Sequence, residues 1–258
     1  MPTVTLLEKV YGSCSPEDLE PVYSSLCKGL KVKLRVVGET NRGWVQIEVS
    51  GEDEIAALHF LARETGLAPV SQDNLKKFSV IRGRVVFSGK SKKELYVDIG
   101  VYSPETYDAV IPLQRLQAQL ADGKKLPLQR LVELFCLYDN LPLEVKIVQG
   151  VDSKKKRIEA ELAEAQLSQI TSWIRSSLDR LIVLGAFFSD VERAVKLSRH
   201  FRDVVKIESL GMLEHVALCK LGTDAVGLIP KLGRFLPEAV FVPFSPRKIR
   251  QLIDRPFL

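Results

Sequence analysis

Hydrophobic positions along the chain fall into three groups of elements. Residues 3–10 (TVTLLEKV) read as a strand, and Ser15-Pro16-Glu17-Asp18 carries a helix start. Ser serves as cap, Pro takes the first helical position, and the acids lie where unpaired N–H groups favour negative charge. Leu19, Val22, Tyr23 and Leu26 recur at helical spacing, with a stop at Gly29. Val32–Val37 and Trp44–Val49 alternate as strands about a Thr40-Asn41-Arg42-Gly43 turn, and a second helix is expected from Glu52 to Glu64. This β-α-β-β-α order over residues 1–72 predicts an antiparallel sheet with helices on one face, in the ferredoxin-like manner. Pro69 to Asn74 is polar and unpatterned and reads as a linker.

The last third repeats the order. Residues 164–178 predict a connecting helix with Leu167, Ile170, Trp173 and Ile174 on one face. Over 179–258, Arg180–Ala186 reads as a buried strand, and Ser189-Asp190-Val191-Glu192 as a capping box opening a helix to Phe201. Val204–Leu210 and Leu213–Leu221 form a hairpin across Gly211-Met212. Thr223 or Asp224 starts another helix, Ala239–Phe244 is a last strand, and Ser245-Pro246 caps a short basic terminal helix. A second ferredoxin-like α+β domain is the expectation.

Between them, residues 73–163 carry Gly83-Arg84-Val85, Leu95-Tyr96-Val97-Asp98-Ile99-Gly100 and Ala109-Val110-Ile111-Pro112. Val145-Lys146-Ile147-Val148 and a last pair turning on Val151 to Ile158 follow. Val97 and Ile99 alternate with Tyr96 and Asp98, so one face fills a core and the other looks outward. This stretch resembles the S1-like OB fold, the five-stranded RNA-binding barrel of ribosomal, initiation and RNA-decay proteins. It departs from that pattern at 113–141, where a long helical insert replaces a short connection. The layout of the barrel and the domain after it is similar to that of the alpha subunit of translation initiation factor two. The whole chain resembles an uncharacterised archaeal family with a central S1-like segment.

Charge follows this division. Basic and acidic residues number 7 and 10 over 1–72, 16 and 10 over 73–157, and 14 and 12 over 158–258, so the basic excess sits on the central segment. That asymmetry suits a polyanionic partner. A barrel of this kind binds single strands by stacking bases on aromatics beside a basic groove. The candidate RNA contacts are therefore Arg82, Arg84, Lys90, Lys92 and Lys93 around the first hairpin, Tyr96 and Tyr107, and Lys154, Lys155, Lys156 and Arg157 at the last turn. The terminal cluster Arg247, Lys248, Arg250 and Arg255 is a second candidate anion contact.

Other chemistry finds no foothold. The apolar runs are too short for a membrane-spanning helix, and the N-terminus has no signal-peptide pattern. The four cysteines form no C-x-x-C pair, so reduced thiols and a cytoplasmic location are expected. His59, His200 and His215 lie in separate predicted elements, and no metal or nucleophile-elbow spacing occurs. The Gly222–Gly227 stretch has phosphate-loop glycine spacing but is followed by Leu228 and Ile229 instead of Lys and Ser/Thr. The expectation is a non-catalytic RNA-binding protein of translation or RNA processing, without cofactor, holding ribosomal or single-stranded RNA. The alternative is a protein-interaction scaffold of the ribosome or the transcription machinery.

Overall fold

The computed structural model describes residues 3–89, 91–152 and 157–253, with only the backbone described at 150–152. The first run of alternation becomes a three-stranded antiparallel sheet ordered β1 (Thr3–Lys9), β3 (Trp44–Gly51), β2 (Val32–Glu39). Ser15 donates its N–H and its Oγ–H to Asp18 (2.8 and 3.0 Å), which closes a 3-10 turn over Pro16–Leu19. Helix α1 (Glu20–Leu26) continues from that turn, and α2 (Glu54–Glu64) follows β3. Leu19, Tyr23, Val45, Ile47, Ala57 and Leu61 form the core between the sheet and its helices. Residues 66–68 then return beside β1, with Ala68 N–H donating to Thr5 O (2.8 Å) and Leu7 N–H to Gly66 O (3.0 Å).

The stretch expected as a linker is part of a sheet. β4 (Val70–Ser71) pairs parallel with β6 (Glu94–Ser103) at Val70 and Val101. Its length hid it, because a two-residue strand has no room to show a period. The central sheet closes on itself: β6 pairs with β5 (Val80–Val86), β5 with β8 (Pro142–Asp152), β8 with β9 (Arg157–Leu162), β9 with β7 (Tyr107–Pro112), and β7 returns to β6. Val85, Val97, Ile99, Ala109, Ile111 and Ile147 fill this five-stranded barrel. Gly83 is where β5 passes closest to β6, since a Cβ there would come 2.6 Å from Asp98 O.

The insert contains α3 (Leu113–Ala121) and α4 (Leu128–Phe135), and the connector is α5 (Glu164–Arg175). The last sheet has four antiparallel strands ordered β11 (Val204–Ser209), β12 (Glu214–Cys219), β10 (Arg180–Leu184), β13 (Val240–Phe244). Its helices are α6 (Phe188–Leu197), α7 (Ala225–Leu232) and α8 (Pro246–Ile253). The capping box expected at Ser189 is not formed. Helix α6 starts at Phe188 with Phe187 in the cap position, so Ser189 already lies inside the first turn. Asp224 does cap α7, accepting from Val226 N–H at 3.1 Å.

Every residue of β10 is buried, because this sheet is covered on both faces. Leu181, Val183 and Ala217 meet α6 and α7 on one side. Ile182, Val216, Val242 and Phe244 join the barrel's own core on the other, through α4, α5 and α8. Trp173 of α5 packs edge-on against Phe244 (5.3 Å between centroids), and Cys136, just after α4, lies 3.6 Å from Pro243 O. The insert is thus what the last domain rests on. Arg250, a candidate anion contact, instead caps the end of α5, bonding Arg175 O (3.1 Å), Ser177 Oγ (2.7 Å) and Ile174 O.

At Gly100 the barrel backbone lies close against the first domain. The φ of Gly100 is +76°, and a Cβ would meet Ala68 Cβ at 2.7 Å and Leu7 Cδ2 at 3.2 Å. Gly100→Ala is expected to cost about 1–3 kcal/mol and lower the thermal midpoint followed by circular dichroism. An unchanged midpoint would mean that this contact does not hold the two domains together.

Candidate nucleic-acid interface

One end of the barrel presents aromatic and basic side chains together. After β5 the chain turns through Phe87, which has φ +57° and is partly exposed, and Ser88 N–H donates to Asp139 (2.7 Å). Ser91 Oγ accepts from the N–H groups of Lys93 and Glu94 (3.2 and 3.1 Å), which folds the loop so that Lys92 and Lys93 stand in solvent. Tyr96 points outward and half-exposed, its hydroxyl donating to Glu94 (3.0 Å); Arg157 pairs with the other oxygen of Glu94 (2.7 Å). Arg42, from the β2–β3 turn, lies 5.7 Å from the Phe87 ring. Lys90, Lys154, Lys155 and Lys156 lie outside the described residues.

The rest of the outward face of β6 and β7 is closed. The first domain lays β1 and the β2–β3 turn across it. Asp98 accepts from Trp44 Nε1–H (3.0 Å), Lys9 Nζ (2.6 Å) and its own Gly100 N–H (3.0 Å). Asp108 is gripped by Arg42, whose Nη2 stands 3.3 Å from Oδ2 and whose Nη1 reaches Asp98 at 3.4 Å. Lys9 also sits 4.5 Å from the Trp44 ring. Two cations thus meet two carboxylates. Burial lowers the Lys9 pKa against the opposing pull of Asp98, and burial raises that of Asp108 against Arg42.

Three expected contacts are placed elsewhere. Tyr107 is 5% exposed and packs inside the barrel, because it falls on the inward phase of β7. Arg84 is 0% exposed and has no access to a phosphate. It lies where β5, β1 and β12 meet, bonded to Glu8 and 3.1 Å from Glu214 Oε2. Arg82, two residues earlier on the same face, is half-buried. It donates to Leu210 O and lines two interdomain clefts of about 370 and 590 Å3. In the larger cleft His215 donates Nε2–H to Ala186 O (2.9 Å), so its Nδ1 accepts from Ser209 Oγ (3.1 Å).

The Arg84 cluster has one cation for two carboxylates. Tyr11 adds a hydroxyl that donates to Glu214 Oε1 (2.7 Å), and Met212 N–H points at Glu8 (3.4 Å). Burial pushes the Glu214 carboxyl up to about 7, Arg84 pulling it down and Glu8 pushing it further up. Burial also raises the Tyr11 hydroxyl. Sequence reading missed this cluster. Its one trace is charge without a local partner: Glu8 and Lys9 end an apolar strand, and Glu214 lies between buried neighbours.

Family models match three consecutive parts of the chain: the DUF2110 N-terminal domain over residues 3–69, the DUF2110 central domain over 76–174, and the DUF2110 C-terminal domain over 178–243. The chain belongs to the DUF2110 family. The central-domain match spans barrel, insert and α5 together, the same group of elements that shares one core. No protein with a curated description matches the chain. Among the described residues, no helix is long and apolar enough to cross a membrane.

In this DUF2110 chain, Arg84→Met leaves Glu8 and Glu214 facing each other in the interior. It is expected to cost about 3–5 kcal/mol, read as a fall in unfolding midpoint. The raised carboxyl of Glu214 means that the native state keeps a proton the unfolded chain has released. Its contribution is therefore fully present below pH 4.5 and is lost as pH climbs to about 7. Glu214→Gln is expected to flatten that part of the stability–pH curve. Wild-type and Glu214→Gln curves that run parallel over the same interval would contradict the raised carboxyl.

Proposed function

We propose that this chain binds single-stranded RNA and performs no chemistry on it. The observation that carries the reading is the end of the barrel, where Phe87 and Tyr96 stand beside the exposed Lys92 and Lys93. Bases stack on such rings whatever their sequence, at about 1–3 kcal/mol each, while the cations hold phosphates. We read the barrel as an S1-like OB fold. The β11-β12-β10-β13 order supports a ferredoxin-like reading of the last domain. The three-stranded first sheet acts here as a plug on the lower half of the barrel face, so the bound strand is confined to its open end.

This confinement sets the expected partner. A single-stranded segment, such as an exposed loop of ribosomal RNA, can reach the barrel end; a duplex has no groove-sized element to receive it. A role in translation or RNA processing in the cytoplasm follows from that partner. The second reading, a scaffold for proteins of the ribosome or the transcription machinery, is favoured by exposed Leu197, Phe201 and Val205 at the β11 edge.

Binding of labelled oligouridine, followed by fluorescence anisotropy across a salt series, tests the proposal. Wild type is expected to lose affinity steeply with salt. The pair Lys92→Glu and Lys93→Glu should weaken binding and flatten log K against log salt by about 0.7 for each phosphate left without its cation. If the double variant binds as wild type does, the barrel-end site is wrong. Partners that survive nuclease and high salt in a pull-down would favour the scaffold.

A further inference from the structure

We infer that Phe78, with Lys76, Lys77 and Lys146, forms a second stacking platform for single-stranded RNA, apart from the barrel end; this rests on the RNA-binding reading above. Phe78 is 61% exposed and holds φ +67°, a left-handed conformation that bulky residues avoid. The backbone around it is pinned. Phe78 N–H donates to Ile147 O (2.8 Å), Ile147 N–H to Ser79 O (3.0 Å), and Ser79 returns both N–H and Oγ–H to Lys76 O (3.1 and 2.6 Å). The chain therefore holds a left-handed backbone at an aromatic residue that stays largely exposed.

Cations surround that ring. Lys77 Nζ lies 4.9 Å and Lys146 Nζ 5.8 Å from its centroid, and Lys76 stands exposed one residue before Lys77. Lys146 is shared with Glu161 at 3.3 Å. Ring, ammonium groups and open space are what a stacked base with its flanking phosphates requires. Phe87 has the same character at the other end of β5: positive φ, partial exposure and a cation near the ring. Strand β5, seven residues or about 20 Å long, runs between the two. The buried Arg84 junction lies between them, so they are distinct contacts for one strand or for two.

The test uses the full chain and fluorescein-labelled oligouridine of about 16 nucleotides. Phe78→Ala is expected to bind about ten-fold more weakly with an unchanged salt slope, because stacking displaces no counterions. Lys77→Gln should lower the slope by about 0.7. In Phe78→Trp, the added indole should be quenched on titration with the same oligonucleotide. If wild type binds, but Phe78→Ala keeps its affinity and Phe78→Trp stays unquenched, the platform is overturned and the barrel-end site stands. If wild type fails to bind, both fall. Because Phe78 is exposed, its removal opens no cavity, and an unchanged thermal midpoint for Phe78→Ala confirms that the comparison is between folded proteins.

Discussion

A single guanidinium, that of Arg84, sits where the three sheets converge. It comes from the barrel, while its carboxylate partners Glu8 and Glu214 come from the first and last domains. An arginine closed off from solvent costs several kcal/mol to desolvate, and only well-placed anions offset that. A shift of either outer domain would leave a charge unpaired in the interior, so this one residue ties both to the barrel. Burial first, and the second carboxylate of Glu8 after it, hold the Glu214 carboxyl up, and Tyr11 turns its hydroxyl toward it. Gly211 follows from the same constraint. A Cβ there would meet Glu214 Oε2 at 2.0 Å and Arg84 Nη2 at 2.9 Å, so the β11–β12 turn must be bare to let the guanidinium in.

Once the first domain is fixed there, half of the barrel's outward face is closed to solvent. The second cluster, Lys9 and Arg42 against Asp98 and Asp108, seals it with charges in balance. The two clusters differ in kind. One sets two cations against two carboxylates, the Arg84 set one guanidinium against two. What remains accessible for a ligand is set by this packing, and it lies at the two ends of β5, where Phe78 and Phe87 emerge.

The insert that interrupts the barrel has a mechanical part. Helices α3 and α4 extend the barrel's apolar interior outward, and β13, α5 and α8 complete it from the other side. Barrel, insert, connector and one face of the last sheet are one hydrophobic body. A short connection in place of 113–141 would strip α4 from the inner face of that sheet and leave only α5 and α8 to cover it.

How much of this was legible beforehand follows the range of the forces involved. Alternation in Val32–Val37, Trp44–Val49 and Leu95–Gly100, and the helical spacing of Leu19, Tyr23 and Leu26, are local properties, and they appear as strands and helix in the fold. So does the all-apolar Leu181–Leu184, whose lack of alternation already implied cover on both faces. Lys92, Lys93 and Tyr96 could be placed at the barrel's end because loop position and strand phase are also local. Tyr107 was misread, because the first residue of β7 already lies on its inward phase. Arg84 could not be read at all: its strand position says outward, and only contact with domains some 76 and 130 residues away turns outward into buried. Phe78 was missed for a related reason, since a left-handed backbone held by bonds to Ile147 leaves no mark in the residues beside it. By itself the sequence determined most of the strands and helices and which of their faces are apolar, because backbone periodicity imposes both. The tertiary structure alone decided which charges are paired inside the molecule and which are left for a ligand, because desolvation depends on neighbours distant in the chain.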